Sequence, residues 1–190
     1  FSKYVSVVVP YTSSSSEKVL MVATFGDYVL AARGTSIYSA TAGGSSWTSR
    51  DSGRTSAGKY NYERFNFDGT DKIIVVDGAN DPTVFNSSLA ATDVTESTVE
   101  GSKYVVAFKN HMFYAGKSST PQTIVFSQPA DEDAFNSGSG AGSIKVDATI
   151  TGLKVFRDNL FIFCENRIFK LTGSTSSDFA ITPVTRSIGC

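Results

Sequence analysis

One pattern limits what this chain can fold into more than any other: a short apolar run ending in phenylalanine, a polar turn, and a second apolar run. Its clearest copy is ITGLKVFRDNLFIFCENRIFKLT, residues 150–172. Leu153, Val155 and Phe156 make one run, Arg157-Asp158-Asn159 a polar turn, and residues 160–163 a second run. Glu165-Asn166 is a second turn, and residues 168–171 are a third run. Strand, tight turn, strand, tight turn, strand is a β-meander, because Asp and Asn tolerate the left-handed backbone such turns require. Arg167 and Lys170 interrupt the third run, as in a strand with one face in water.

The unit recurs. KVLMVATFGDYVLAARGTSIYSA turns at Gly26-Asp27 and Arg33-Gly34. YNYERFNFDGTDKIIVVDGANDPTVFN turns at Asp68-Gly69-Thr70-Asp71 and again after Val76. KYVVAFKNHMFYAG turns at Lys109-Asn110. The phenylalanines before the first turns, Phe25, Phe67, Phe108 and Phe156, are spaced 42, 41 and 48 residues apart. Several strands per unit at such a period is what propeller blades show. A blade cannot bury both faces alone, so neighbours must stack. The spacing predicts an all-β, β-propeller-like array of antiparallel meander blades in four units: 18–59, 60–101, 102–148 and 149–190. The start at Phe1 without Met and the stop at Cys190 suggest an incomplete circle, a piece of a larger multidomain protein. Residues 1–10 (FSKYVSVVVP) read as a further strand. The extra length of the third unit is assigned to residues 137–143 (SGSGAGS), a flexible insertion by composition. The competing architecture is a two-sheet β-sandwich, which also has short strands at regular spacing. Phe108, Phe156, Phe161 and Phe163 are expected in the core.

Composition agrees with a packed β protein: 41% hydrophobic residues, with 14 Phe and 8 Tyr in 190 residues. A net charge of −1 with dispersed Lys and Arg argues against a nucleic-acid or anionic-membrane surface. No apolar run approaches the roughly 18 residues of a membrane span, and no basic segment with an apolar core suggests a signal peptide. Cys164 and Cys190 are expected to be free thiols, Cys164 as a small buried hydrophobe.

The search for chemistry finds little. His111 is the only histidine, so a His-based metal site or a Ser-His-Asp triad would have to be built around one ring. It is expected at a turn or strand edge. Asp131, Glu132 and Asp133 form the densest acidic cluster, without the spacing that wraps calcium. It reads as a solvated loop. Asp77-Gly78-Ala79-Asn80-Asp81 has a faint calcium-loop look but is more simply a hairpin breaker. Gly138, Gly140 and Gly142 have linker composition, and neither cysteine has an activating neighbour. No catalytic, cofactor-binding or metal-binding residue is assigned, and no enzyme is expected.

Three segments, YVVAFKNHMFYAG with TIVFSQPADEDAFN, ITGLKVFRDNLFIFCENRIFKLTG, and TRSIGC, resemble the tail nozzle (tail tubular protein B-like) family of short-tailed bacteriophages. The likeness covers residues 103–190. It lies in packing and turn phrases, not in catalytic motifs. It implies a structural virion protein, made in the host cytoplasm and assembled as a homo-oligomeric ring around the DNA exit channel. The tail adaptor and tail fibre proteins would be its partners, and genomic DNA would pass without specific binding. A nearly neutral chain is compatible with a channel that does not retain phosphates. The alternative is a propeller binding module for a carbohydrate or host receptor, with aromatic loops around Trp47, Tyr60 and Tyr62.

Overall fold

Tight turns set the architecture. Lys109 and Asn110 (φ 50° and 61°) and Arg157 and Asp158 (φ 44° and 64°) are left-handed at both central positions. That matches the right-handed twist of the strands they join. They close hairpins in which Phe108 faces His111 and Phe156 faces Asn159. The computed structural model describes residues 17–55 and 58–189, so the strand expected at residues 1–10 lies outside the described residues.

Among the described residues, sixteen strands form four sheets. Blade 1 is β1 (Val19–Phe25), β2 (Tyr28–Arg33), β3 (Ser36–Thr41) and β4 (Thr48–Ser52). Blade 2 is β5 (Asn61–Phe65), β6 (Lys72–Val76), β7 (Thr83–Phe85) and β8 (Ala91–Asp93). Blade 3 is β9 (Tyr104–Phe108), β10 (His111–Ala115), β11 (Thr123–Phe126) and β12 (Gly142–Lys145). Blade 4 is β13 (Ile150–Phe156), β14 (Asn159–Cys164), β15 (Ile168–Thr172) and β16 (Ala180–Thr185). Within each sheet the strands are antiparallel and in chain order. The first strands lie together, β5 beside β9 and β9 beside β13, so they are innermost and each blade radiates outward. Four separate sheets replace the two of a sandwich. Among the described residues no helix is long and apolar enough to cross a membrane.

Successive side chains point to opposite faces of a strand, and blades 2 and 3 are apolar on both faces because each lies between two neighbours. Met21, Phe25, Leu30 and Ile37 of blade 1 pack on Ile73, Val75 and Phe85 of blade 2. Phe65, Ile74 and Val76 of blade 2 meet Val105, Met112 and Tyr114 of blade 3. Val106, Phe108, Phe113, Ile124 and Phe126 of blade 3 meet Leu160, Ile162, Cys164 and Leu171 of blade 4. Hairpin register makes these sets equivalent. The residue before the first turn is Phe25, Phe65, Phe108 and Phe156 in the four blades, and the middle of the second strand is Leu30, Ile74, Phe113 and Phe161.

That register corrects three expectations. The blade 2 anchor is Phe65, not Phe67. β5 ends at Phe65, and Phe67 folds back with its ring centroid 4.9 Å from that of Phe65. Phe108 is buried, but Phe156 is 57% exposed, and Phe161 and Phe163 are half-buried. They sit on the face of blade 4 that no described sheet covers. Residues 137–143, expected as an insertion of linker composition, carry regular elements: Ser137–Ser139 form a 3-10 turn capped by the Asn136 side chain, and Gly142 opens β12.

A buried ionic latch joins blades 1 and 2. Arg54, just after β4, donates to Asp77 at 2.8 and 3.1 Å, to Asp51 at 2.6 Å and to Thr83 at 2.6 Å. Asp77 also accepts from the amides of Ala79 and Asn80 and from the Asn80 side chain. Burial pushes the Asp77 carboxyl up, but the Asn80 and Ala79 amides, the Asn80 side chain and Arg54 outweigh it and hold it below the ordinary carboxylate value. Burial likewise draws Arg54 down, and hydrogen bonds to Asp51 and Asp77 overcome it.

Two outcomes follow from this packing. Phe113→Ala, in a filled interface, should cost about 3–5 kcal/mol in urea unfolding, whereas Phe156→Ala should cost less than about 1 kcal/mol. Asp77→Ala should cost about 3 kcal/mol at neutral pH, since it leaves Arg54 buried with one carboxylate. A lowered folded-state pKa contributes stability above the unfolded value of about 4 and loses it as pH falls through the folded value. The gap between wild type and Asp77→Ala should therefore narrow in acid, as read by urea midpoints across pH.

Candidate ligand-binding pocket

Among the first hairpins of the described blades, one departs from the others and makes a cavity. The first hairpins of blades 1, 3 and 4 close with two residues, Gly26-Asp27, Lys109-Asn110 and Arg157-Asp158, whereas blade 2 needs residues 66–71 between Phe65 and Lys72. The longer connection is internally braced. Asp68 accepts from the Thr70 amide at 2.9 Å, the Asn66 side chain donates to Asp71 at 2.9 Å, and Gly69 takes φ 86°. Beside the Gly26-Asp27 turn it walls a pocket of roughly 620 Å³.

Phe25, Tyr28 and Phe65 supply aromatic surface there, and Asp27, Arg64 and Asn66 supply planar polar groups. Arg64 is exposed and makes no ion pair among the described residues. Lys72 braces the pocket from behind, 3.3 Å from Asp68 and 3.0 Å from Glu132 of the β11–β12 connection. Burial draws the Lys72 ammonium down, and the pairs with Glu132 and Asp68 outweigh it and raise it. Aromatic walls with a few convergent polar groups are the usual make-up of a small-molecule site. A second groove of roughly 460 Å³ lies between blades 2 and 3, but its polar lining is mostly hydroxyls, and its Lys117 is tied to the Ser97 carbonyl.

The residues singled out in the sequence lie elsewhere. His111, expected at a turn or strand edge, directly follows the Lys109-Asn110 turn but does not face solvent. It is buried at the start of β10, donates from Nδ1 to the Ser127 carbonyl at 2.6 Å, and meets Phe126 and Phe179 edge-on. The acidic cluster is not uniformly solvated: Glu132 is buried in its pair with Lys72, and its carbonyl accepts from the Tyr114 hydroxyl, while Asp133 is exposed. Asp77 does break a hairpin, with Gly78 at φ 84°, and also anchors Arg54. Cys164 is a free, buried thiol pushed up to about 11 by burial; Cys190 lies outside the described residues. Trp47 precedes the outermost strand of blade 1, Tyr60 is buried, and Tyr62 is on the innermost strand of blade 2. They do not share a surface. The described residues hold no group of three His, Cys, Asp or Glu side chains placed for a metal ion.

No protein-family model matches the chain, and no curated protein matches it. Solved structures do. The extracellular domain of a putative one-component system from B. thetaiotaomicron has a TM-score of 0.63 at 9% identity, over 92% of this chain and 22% of that chain. A chain of the nidogen/laminin complex has a TM-score of 0.57 at 13% identity, over 87% of this chain and 65% of that one. The N-terminal domain of Nup159 has a TM-score of 0.54 at 10% identity, over 89% and 51%. This chain has a β-propeller-type fold. At such identities the likeness shows the fold alone, and the chain spans less than two thirds of each of these proteins.

Proposed function

We propose that this chain acts by binding rather than by catalysis, as a propeller-type module that recognises a carbohydrate or carbohydrate-bearing receptor through the pocket between blades 1 and 2. The observation that carries the reading is the pocket's composition at the first hairpin of blade 2, which is longer than its counterparts in the other described blades. A sugar ring presents an apolar C–H face and a rim of hydroxyls. Tyr28 can take the former, and Asp27, Arg64 and Asn66 can take the latter. Departures from a repeat that add loop on one face are where such arrays place their binding surface. The test is a glycan array followed by calorimetry on the full chain, with Tyr28→Ala and Arg64→Ala against Lys117→Ala in the other groove. A glycan whose affinity falls about tenfold or more (~1.4 kcal/mol) with the first two and holds with the third is the expected outcome. No glycan bound, or equal binding by all three, would overturn it.

A second reading, a tail nozzle subunit of a short-tailed bacteriophage, is supported by where the resemblance falls. Residues 103–190 contain the whole of blades 3 and 4, and the resembling phrases carry the Lys109-Asn110 and Arg157-Asp158 turns. On this reading the chain contributes to a ring around a DNA channel, contacting tail adaptor and fibre proteins. Electron-microscope images of the native protein should then show a symmetric ring with an axial channel, and dispersed particles without one would remove the reading.

A further inference from the structure

The inner strands of the array carry two charges that the fold leaves unmatched. β5, β9 and β13 are each the end strand of their sheet, so along their free edges alternate backbone amides and carbonyls lack a neighbouring strand among the described residues. Between these edges lies a cleft of roughly 230 Å³, smaller than the roughly 300–1,000 Å³ of sites that take drug-sized ligands. Asn61 closes part of it by donating from Nδ2 to the Lys103 carbonyl at 2.7 Å, and Tyr62 and Tyr104 line it. Glu63 enters from blade 2. It lies opposite Ile74, which packs toward Val105 and Met112 of blade 3, and its half-buried carboxylate accepts from the Ala107 amide of β9. Lys154 of β13 lines the same cleft from blade 4 and is exposed. The carboxylate feels the field of this ammonium, yet the two form no ion pair, and neither has one with any other described residue.

A carboxylate on one wall and an ammonium on the other, too far apart to pair, complement a molecule that carries both charges. We infer that the cleft binds a small zwitterion of the amino-acid class, its ammonium on Glu63 and its carboxylate on Lys154. Charge rules out the simpler ligands. A lone cation on Glu63 would sit in the repulsive field of Lys154, and a lone anion on Lys154 in that of Glu63. A zwitterion meets both and leaves the net charge of the cleft unchanged. The state of Glu63 points the same way: burial outweighs Lys154 and the Ala107 amide and pushes its carboxyl above the ordinary range, so the carboxylate is under-compensated as it stands. A charge held away from water needs a partner, and a ligand ammonium supplies one through a charge-assisted hydrogen bond. Carbonyls on the free strand edges can accept its remaining protons. Blade 2 contributes Asn61 and Glu63, blade 3 Tyr104 and blade 4 Lys154, so the site exists only when the three blades are stacked.

This cleft shares no residue with the pocket between blades 1 and 2, so the two can be tested apart. Calorimetry of the full chain with glycine, β-alanine and 4-aminobutyrate, whose charges stand progressively further apart, should find at least one that binds. Methylammonium and acetate, the isolated halves, should bind at least about tenfold more weakly (~1.4 kcal/mol). Glu63→Gln and Lys154→Met should each weaken the zwitterion by a similar factor with unchanged far-ultraviolet circular dichroism, whereas Lys117→Ala should leave it unchanged. Binding of none of the three zwitterions would overturn the site. Methylammonium bound as tightly as the best zwitterion would overturn the part given to Lys154. A zwitterion indifferent to Glu63→Gln and Lys154→Met would be held elsewhere on the molecule, which would overturn the assignment to this cleft.

Discussion

Burial of one sheet face against the next is the interaction on which the rest of this protein depends. No blade has a core of its own. A four-stranded meander has no interior until a second sheet lies on it, and the three apolar layers of the described chain are all shared between consecutive blades. At roughly 25 cal/mol per Å² of apolar surface removed from water, large side chains such as Phe85, Phe113 and Tyr114, nearly inaccessible to solvent, hold neighbours together without any covalent staple. Polar contacts then select among arrangements the apolar layers would tolerate. The Arg54–Asp77 latch ties blade 1 to blade 2, and Lys72–Glu132 ties blade 2 to the long connection of blade 3.

The same constraint explains why the surfaces of interest occur where they do. Every blade must supply two complementary faces, so the strands have little freedom to vary. Turns and connections do. The six-residue link of blade 2 opens a pocket between aromatic rings that would otherwise close the seam with blade 1. The β11–β12 connection, pinned by the Tyr114 hydroxyl and by Lys72, steadies that link from behind. The uncovered face of blade 4 is the complementary case, an interface set of side chains kept in place by their own sheet with nothing described lying over them.

What was legible in the sequence was local. Gly26-Asp27, Lys109-Asn110 and Arg157-Asp158 announce hairpins because Gly, Asn and Asp tolerate left-handed backbone, and the blades follow from how often that phrase recurs. What was not legible depends on contacts far along the chain. Phe156 has the same local context as Phe108, and only the presence or absence of a following sheet decides whether it is buried. Phe67 extends the alternation set by Phe65, yet Phe65 pairs with Lys72 and ends the strand. Arg54 sits in an ordinary polar loop beside Asp51, and its second carboxylate partner, Asp77, lies 23 residues later. His111 follows a turn, but the phenylalanine rings that enclose it come from β11 and from residue 179. The length of the blade 2 link was visible as FNFDGTDK, but as a turn rather than as the wall of a pocket.

Hydrogen exchange of the backbone amides, resolved strand by strand, tests the shared-core account most directly. If blades are stable only through their neighbours, the second strands β2, β6 and β10, each covered on both faces, should exchange slowly and together, through a common unfolding step. β14, covered on one face, should open more readily unless a partner sits on it. Independent exchange of each sheet, with its own opening free energy and no effect of Phe113→Ala on β14, would mean that each blade holds itself together, and would contradict the account.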